Sequence, residues 1–347
     1  MIALGITITL ILILLGLVKK KSHLIFIFQC LWLWIIQAFN CGGMDYKTNE
    51  LIYHDGGVAT EWLADIFIRF FLKMGIDYMW YRAFWATVAI LIIENVIWKY
   101  SRKPCLVMIL YYAFLWADNI AQCRFFWASS FVLLAFHFML ESKKKLYYIV
   151  LVLATGFHTS SFIYLLFPLV YKILIKNSTV KNIGIIGMEM LFFSGVVPIL
   201  NFIGMRYAAD KFVYYLYQDN YSSIIVGLCF LGMYAVFFMM IYWIISRSKE
   251  KSEIDIFTLR IINTAVFILP FLLFNSNFGR FFRPILIMSY IVVSNRIGKT
   301  KPYSLSNLSV AGFCFITILA GIVLQYKTNW FAIDTMFANN YLLQHIF

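Results

Sequence analysis

Three arginines lie at the ends of apolar segments, where a guanidinium group can meet an anion. Arg124 follows the polar stretch DNIAQC and opens the run FFWASS, and Arg280 and Arg283 are three residues apart in NSNFGRFFRP. A guanidinium binds a phosphate or a carboxylate through two parallel hydrogen bonds, which a lysine ammonium cannot match. The alternative role is an anchor that reaches the lipid headgroups. We expect the polar residues of the preceding stretch, Asp118, Asn119 and Gln122, to hold Arg124 in one orientation.

Two further motifs place titratable side chains close to glycine. In NCGGMDYKTNE, residues 40–50, a Gly-Gly pair permits tight backbone geometry just before Asp45, and the alternative interpretation is a polar turn. In GFHTSSF, residues 156–162, glycine and histidine interrupt two short apolar pieces. Together these pieces predict one broken hairpin with His158 at the outer end of a cavity. A histidine in a membrane protein is more often a packing residue than a catalyst, so both interpretations of His158 stay open.

The composition of the chain predicts the elements that position these residues. Of 347 residues, 63% are hydrophobic and 13% are charged. Soluble domains are about 45–50% apolar and about 25% charged, so the chain is predicted to be a polytopic membrane protein. Apolar segments of roughly bilayer-spanning length recur throughout, which leaves one membrane domain over residues 1–347. The predicted spans are residues 2–18, 24–39, 80–98, 105–119, 124–140, 146–157, 160–175, 183–203, 223–246, 256–275, 281–296 and 307–325.

One further segment, residues 58–76, has the pattern of a helix that lies along the membrane surface. Charged side chains recur there every four residues, and so do large apolar ones, which is typical of an amphipathic helix. The charged row is Glu61, Asp65, Arg69 and Lys73, and the apolar row is Trp62, Ile66, Phe70 and Met74. The predicted fold is therefore all-α: a polytopic integral membrane helical bundle of about 12 transmembrane helices, with this interfacial helix on the outer face.

The basic residues divide unequally between the two sets of turns that connect the predicted spans. One set holds 19 of the 29 lysines and arginines. Cytoplasmic loops carry an excess of these residues, so this side is predicted to be cytoplasmic, with both termini outside. The net charge of +13 then reflects topology and implies no nucleic acid. The turns of this set are residues 19–21, 99–103, 143–145, 172–181, 247–260 and 296–301.

The sequence lacks the motifs of metal, nucleotide and cofactor chemistry. The six cysteines have no paired spacing, and the five histidines have no spacing typical of metal ligands. The chain has no P-loop and no dinucleotide-binding fingerprint. The sequence therefore predicts no metal and no cofactor, and it disfavours ATP-driven transport.

Four short motifs follow one another in the first half of the chain. They are Gly-x-Asp-Tyr after the second span, an acidic residue that opens the next helix, an arginine that opens a mid-chain span, and Phe-His-x-Ser. Their residues are Gly43, Asp45, Tyr46, Glu61, Arg124, Ala128, Phe157, His158 and Ser160. This order resembles the EpsG family of exopolysaccharide polymerases, which are Wzy-type enzymes. The chain departs from the family pattern at Gln37–Asn40, Asn49, Phe125 and Thr159.

The resemblance implies a GT-C-like membrane glycosyltransferase that builds a polysaccharide such as a capsule or an O-antigen. Such polymerases join oligosaccharide repeat units carried on polyprenyl diphosphate, at the outer face of the bacterial cytoplasmic membrane. The lipid diphosphate is the leaving group, so no cofactor is implied. The partners implied are the lipid-linked oligosaccharide, membrane lipids, and chain-length regulator and flippase proteins.

The resemblance also implies a role for each candidate side chain. Arg124, Arg280 and Arg283 would stabilise the departing diphosphate. The base near the acceptor hydroxyl would be His158, whose unperturbed pKa near 6.5 suits neutral pH, with Asp45 and Glu61 as carboxylate alternatives.

Two other classes of protein stay open. A glycosyltransferase that uses a polyprenyl-phosphate sugar would share the outer site, and an exposed acidic pair such as Asp45 and Asp55 would favour it. A flippase for lipid-linked oligosaccharides is the alternative that is not an enzyme. It would place charges along a path through the bilayer, whereas Glu94 and Glu189, the chief acids within spans, lie toward the cytoplasmic side.

Overall fold

The computed structural model describes residues 1–42, 45–57, 61–168, 224–248, 250–273, 276–297, 305–326 and 336–346. Within these ranges the chain is helical, and an isolated antiparallel bridge joins Asn40 to Asn340. We number the α-helices α1 (Ile2–Val18), α2 (His23–Ala38), α3 (Tyr46–His54), α4 (Trp62–Lys73), α5 (Tyr78–Tyr100), α6 (Pro104–Ala113), α7 (Trp116–Ala121), α8 (Cys123–Leu140), α9 (Lys144–Phe157), α10 (Ile224–Ser246), α11 (Glu253–Ala265), α12 (Arg283–Arg296), α13 (Leu305–Ala320) and α14 (Tyr341–Ile346). Shorter 3-10 helices cover Thr159–Leu166, Val266–Leu273 and Ser276–Phe282, and a π-helix covers Gly321–Tyr326.

The described helices agree with the predicted all-α class. Four are long and apolar enough to cross a membrane: Tyr78–Tyr100, Cys123–Leu140, Ile225–Ser246 and Glu253–Leu273. Four shorter apolar helices are Ile2–Val18, His23–Ala38, Pro104–Ala113 and Asn307–Val323. The count of twelve spans stays a prediction, because residues 183–203 and 169–175 lie outside the described residues.

Local sequence signals set several of the helix starts. Proline occupies the first turn of α6 and of α12, where its fixed φ suits a helix and its missing N–H costs no hydrogen bond. At α11, Ser252 and Asp255 form a capping box that satisfies two backbone N–H groups.

The predicted span 105–119 is broken, and this prediction of one continuous helix is wrong. The chain leaves α6 after Ala113, passes through Leu115 at φ 130°, and starts the six-residue helix α7. A break at this depth needs other donors for the backbone carbonyl groups. At the break, the Tyr290 hydroxyl of α12 donates to the Phe114 carbonyl at 3.2 Å. At the other end of α7, the Gln37 amide donates to the Asn119 carbonyl at 2.8 Å, and the Arg82 guanidinium donates to the Ile120 carbonyl at 3.2 Å.

The chain reverses direction at His158, as the broken-hairpin interpretation expects. Helix α9 ends at Phe157, and the 3-10 helix that follows returns alongside it. The Tyr147 hydroxyl near the start of α9 donates to the Tyr164 carbonyl at 2.6 Å, which ties the two arms together. His158 therefore lies at the tip of the hairpin.

Helix α4 has three faces, although the sequence pattern indicated two. The residues that pack into the bundle are Ala64, Ile68 and Phe71. The predicted apolar row, Trp62, Ile66, Phe70 and Met74, is exposed, as expected for side chains that contact lipid. Gly156 of α9 lets the first turn of α4 approach closely, since an added Cβ would lie 2.5 Å from the Leu63 side chain.

Five of the six lysine-rich turns meet at one end of the bundle. The Arg102 N–H donates to the Asn295 side chain at 2.6 Å, Lys99 pairs with Glu141, and Arg296 bonds to Ser248. The Cys105 thiol reaches the Ser22 carbonyl at 3.3 Å. We call this end the lysine-rich end and the opposite end the site end. The sixth turn, residues 172–181, lies outside the described residues.

Candidate functional site

Arg124 at the start of α8 forms an ion pair with Glu61. Its Nη1 donates to Oε2 of Glu61, the residue that immediately precedes α4. The Glu61 side chain is 7% exposed and that of Arg124 is 23% exposed, so the guanidinium faces the more open side of the pair. The expectation that Asp118, Asn119 and Gln122 hold Arg124 is wrong, because those side chains turn toward another arginine.

Arg283 at the start of α12 is the arginine that those residues hold. Its Nη1 donates to the Asn119 amide oxygen at 3.0 Å, and its Nη2 donates to that of Gln122 at 2.9 Å. The Asp118 carboxylate lies farther away, at 3.5 Å from Nη2. The Arg283 side chain is only 6% exposed, so these contacts fix its orientation. The short helix α7 therefore presents its polar side chains to α12.

The Phe125 ring is approached by Arg280, Arg283 and His158. Its ring centroid is 5.8 Å from Cζ of Arg280 and 5.3 Å from Cζ of Arg283, which are cation–π distances. The His158 ring lies edge-on to the same ring, with 5.3 Å between centroids. Arg280 is oriented further by donating from Nε to the Asn277 carbonyl at 2.9 Å. One aromatic ring thus links side chains from three distant parts of the sequence.

His158 is oriented by Ser160. The Ser160 Oγ lies 2.5 Å from Nδ1 of His158, and the Ser160 backbone N–H donates to the same nitrogen at 3.4 Å. A backbone N–H can only donate, so Nδ1 accepts in that bond, whereas the serine hydroxyl can either donate or accept. If Nδ1–H donates to Ser160 Oγ, Nε2 is the basic nitrogen of the ring. The Phe-His-x-Ser spacing thus holds the imidazole in one orientation.

Asp45 precedes α3 and lies within electrostatic reach of two of these arginines. Burial raises the pKa of the Asp45 carboxyl above its ordinary value, and the positive charges of Arg280 and Arg124 oppose the rise. The segment that follows is the helix α3, where the alternative interpretation was a polar turn. Gly43 of the same motif lies outside the described residues.

Arg82 and Gln37 form a buried frame behind the site. Arg82 is 2% exposed, and its Nε donates to the Gln37 carbonyl at 3.1 Å while Nη2 reaches α7. Its Cζ also lies 5.6 Å from the centroid of the Tyr46 ring. This frame joins α2, α5 and α7, and neither residue was assigned a role in the sequence analysis.

The structure thus brings all six predicted site residues to the site end. The residues that orient them were not predicted to do so. Two of them belong to noted sequence patterns: Ser160 is part of the Phe-His-x-Ser motif, and Phe125 is a departure from the family pattern. A cavity of about 400 Å³ opens instead at the lysine-rich end, where it is lined by Lys99, Tyr100, Leu140, Glu141, Ser252, Glu253 and Ile254. Its Glu141 carboxylate is already bonded to Lys99 and Lys143.

The fold and the site define a helical membrane protein with arginine, carboxylate and imidazole groups clustered at one end of its bundle. The chain belongs to the EpsG family, whose model matches residues 23–342. The resemblance of the short motifs is thereby confirmed, and membership indicates a polymerase related to exopolysaccharide synthesis. No curated protein and no solved structure matches the chain.

Proposed function

We propose that the protein is a membrane glycosyltransferase that polymerises oligosaccharide repeat units carried on polyprenyl diphosphate. The observation that carries this proposal is the convergence of Arg280, Arg283 and His158 on Phe125, with the Glu61–Arg124 pair and Asp45 nearby. A hydroxyl of the newly supplied unit attacks the anomeric carbon of the growing chain. The bond from that carbon to the diphosphate oxygen breaks, and its electron pair leaves with the lipid diphosphate.

The arginines would stabilise the charge that develops on the leaving diphosphate. Arg283 suits this role because the neutral amides of Asn119 and Gln122 orient its guanidinium, while the Asp118 carboxylate pairs with it at the longer distance of 3.5 Å. Arg280 approaches the same aromatic ring, so two positive charges lie against Phe125. Groups fixed in this way need no reorganisation when charge develops, and losing one can cost about a hundredfold in rate.

His158 would take the proton of the attacking hydroxyl. This assignment requires the tautomer in which Nδ1–H donates to Ser160 Oγ in place of accepting from the Ser160 backbone N–H, so that Nε2 takes the proton from the acceptor sugar. Glu61 is paired with Arg124, which favours a carboxylate that balances charge over one that accepts the proton. Asp45, whose pKa is raised by burial, stays the carboxylate alternative to His158.

The site end would face the outside of the bacterial cytoplasmic membrane, because the opposite end carries the lysine-rich turns. A polymerase on that face receives lipid-linked units from a flippase and releases lipid diphosphate into the same leaflet. Chain-length regulator proteins would be its other partners. The arrangement requires no nucleotide, since the lipid diphosphate bond supplies the free energy of transfer.

The proposal is tested by incubating the purified full-length protein with lipid-linked repeat units and resolving the products by size. We expect a ladder of longer glycans from wild type and a strong reduction from Arg124→Lys, which keeps the charge but loses the planar two-pronged donor set. If wild type yields no ladder but moves lipid-linked units across vesicle membranes, the protein is a transporter. Ladders equal to wild type from both Arg124→Lys and Arg124→Ala would reduce Arg124 to a membrane anchor.

A further inference from the structure

Arg124 is bonded to a carboxylate in the position where an anionic ligand would bind. Carboxylate and phosphate groups both bind guanidinium through charge-assisted hydrogen bonds, so Glu61 and a phosphoryl oxygen would compete for the same donors. A phosphoryl oxygen that takes the Nη1 donor now bonded to Glu61 must displace the carboxylate, because two like charges so close together repel each other. Asp45 adds a second negative charge near the same guanidinium. An incoming diphosphate therefore meets a guanidinium that is already neutralised.

We propose that Glu61 is an exchangeable partner of Arg124: the lipid diphosphate displaces it on binding, and its return helps to release the lipid diphosphate after transfer. This inference rests on the proposed function and adds a role in product release. Without such a competitor, three arginines would hold a diphosphate tightly, and release of the product would limit turnover.

The exchange requires rotation of the Glu61 side chain and no movement of helix α4. Helix α4 is fixed against α9, because its first turn packs directly on Gly156, where an added Cβ would lie 2.8 Å from the Trp62 ring. Burial of Ala64, Ile68 and Phe71 fixes the rest of the helix. A glutamate has three side-chain torsions, so its carboxylate can leave Arg124 by rotation alone.

The first test measures binding of polyprenyl diphosphate without sugars to the purified full-length protein, from the rise in unfolding temperature with ligand concentration. In Glu61→Gln the competing charge is absent, and we expect binding about tenfold tighter than in wild type. Glu61→Asp keeps the charge on a shorter side chain and should give an intermediate affinity. Asp65→Asn is the matched control, since Asp65 lies on the same helix and pairs with its own arginine, Arg69. This control should bind as wild type does.

The second test separates product release from chemistry. In Glu61→Gln repeated turnover should slow more than a single transfer does, and it should become more sensitive to added polyprenyl diphosphate. Loss of the single transfer would instead make Glu61 a base or an essential positioning residue and overturn the inference. Equal or weaker binding by Glu61→Gln would also overturn it, even if wild type makes a glycan ladder. If Glu61→Gln does not fold, weaker binding by Glu61→Asp than by wild type would overturn it. Failure of every protein to bind the probe would overturn the proposed function as well.

Discussion

Both ends of the bundle bury an arginine, but the two arginines have different partners. At the lysine-rich end, Arg296 pairs with Asp255, whose carboxylate also accepts from the Ser252 N–H at 2.8 Å and from the Ser252 hydroxyl at 2.7 Å. At the site end, the nearest acceptors of Arg283 are amide oxygens, and the Asp118 carboxylate is farther away at 3.5 Å. Arg296 is thus the required partner of a buried carboxylate, whereas Arg283 is held mainly by neutral groups and keeps more of its charge for another anion.

The two ends also differ in the partners of their histidines. His137 at the lysine-rich end has Nδ1 2.7 Å from the Tyr100 hydroxyl and Nε2 3.5 Å from the Glu141 carboxylate. Hydrogen bonds from Lys143 and Lys99 hold the pKa of that carboxyl at about 2, so it stays ionised. His158 is oriented at Nδ1 by Ser160 and lies edge-on to Phe125, the ring that Arg280 and Arg283 also approach. One histidine belongs to a network of ion pairs, and the other is arranged as a proton acceptor would be.

The largest contrast is expected between the two histidines. His158→Gln keeps polarity and approximate size but removes the base, which should lower chain growth about 100-fold or more. His137→Gln should leave the rate within about twofold of wild type, since a glutamine can still bond to Tyr100. The measurement is glycan chain growth per folded molecule, with binding of polyprenyl diphosphate retained in both variants. Equal losses from the two changes would break the contrast.

The arginines should separate in the same way. Arg283→Gln should reduce the rate about 100-fold because a charge-stabilising donor is lost. Arg296→Gln leaves the buried Asp255 without its arginine and should lower the free energy of unfolding by about 3 kcal/mol, with little change in rate per folded molecule. Unfolding temperature and chain growth are measured on the same purified samples. A rate loss from Arg296→Gln that matches the loss from Arg283→Gln would contradict the assignment.

Hydrophobic pattern alone predicted much of the architecture. The predicted spans 2–18 and 223–246 agree with α1 and α10 to within a residue at each end. The break between α6 and α7 was not predictable, because the stretch around Leu115 is as apolar as an unbroken span. The carbonyl of Phe114 at the break accepts from the Tyr290 hydroxyl of α12, and the position of that donor depends on tertiary packing. Apolar pattern specifies which residues are buried but not where a buried helix stops.

The site was predictable as a set of residue types but not as a set of pairs. The residue types indicated a site at Asp45, Glu61, Arg124 and His158. Ionisable groups near the ends of spans are costly unless they have a function or a bonding partner. The partners depend on contacts between residues far apart in the chain. Asn119 and Gln122 bond to Arg283, more than 160 positions away, although Arg124 is their neighbour in sequence.

The buried frame should have an intermediate effect, because Arg82 acts on the site through α7. Arg82→Lys keeps the charge but cannot reach both the Gln37 and the Ile120 carbonyl groups, so α7 should shift and Arg283 lose part of its support. We expect kcat to fall about tenfold with a smaller change in KM. Arg69→Lys is the control, since the Arg69 side chain is 71% exposed. Equal falls in kcat for Arg82→Lys and Arg69→Lys would contradict a positioning role for Arg82. A change in the unfolding temperature of Arg82→Lys without a fall in kcat would contradict it too.

The smallest expected effect is a dependence of stability on pH that arises from Asp45. Burial raises the pKa of this carboxyl, so the folded protein binds its proton more tightly than the unfolded chain does. The stability gained in this way is fully present below the ordinary pKa of 3.8 and is lost as the pH rises through the folded value. Asp45→Asn cannot titrate. As the pH rises from acid to neutral, its unfolding temperature should therefore fall by about 1 °C less than that of wild type. Arg280→Gln removes a charge that lowers the same pKa, so its curve should fall more steeply than that of wild type. Parallel curves for the three proteins would mean that Asp45 is solvated like an ordinary surface acid, and its place among the arginines would then have to be revised.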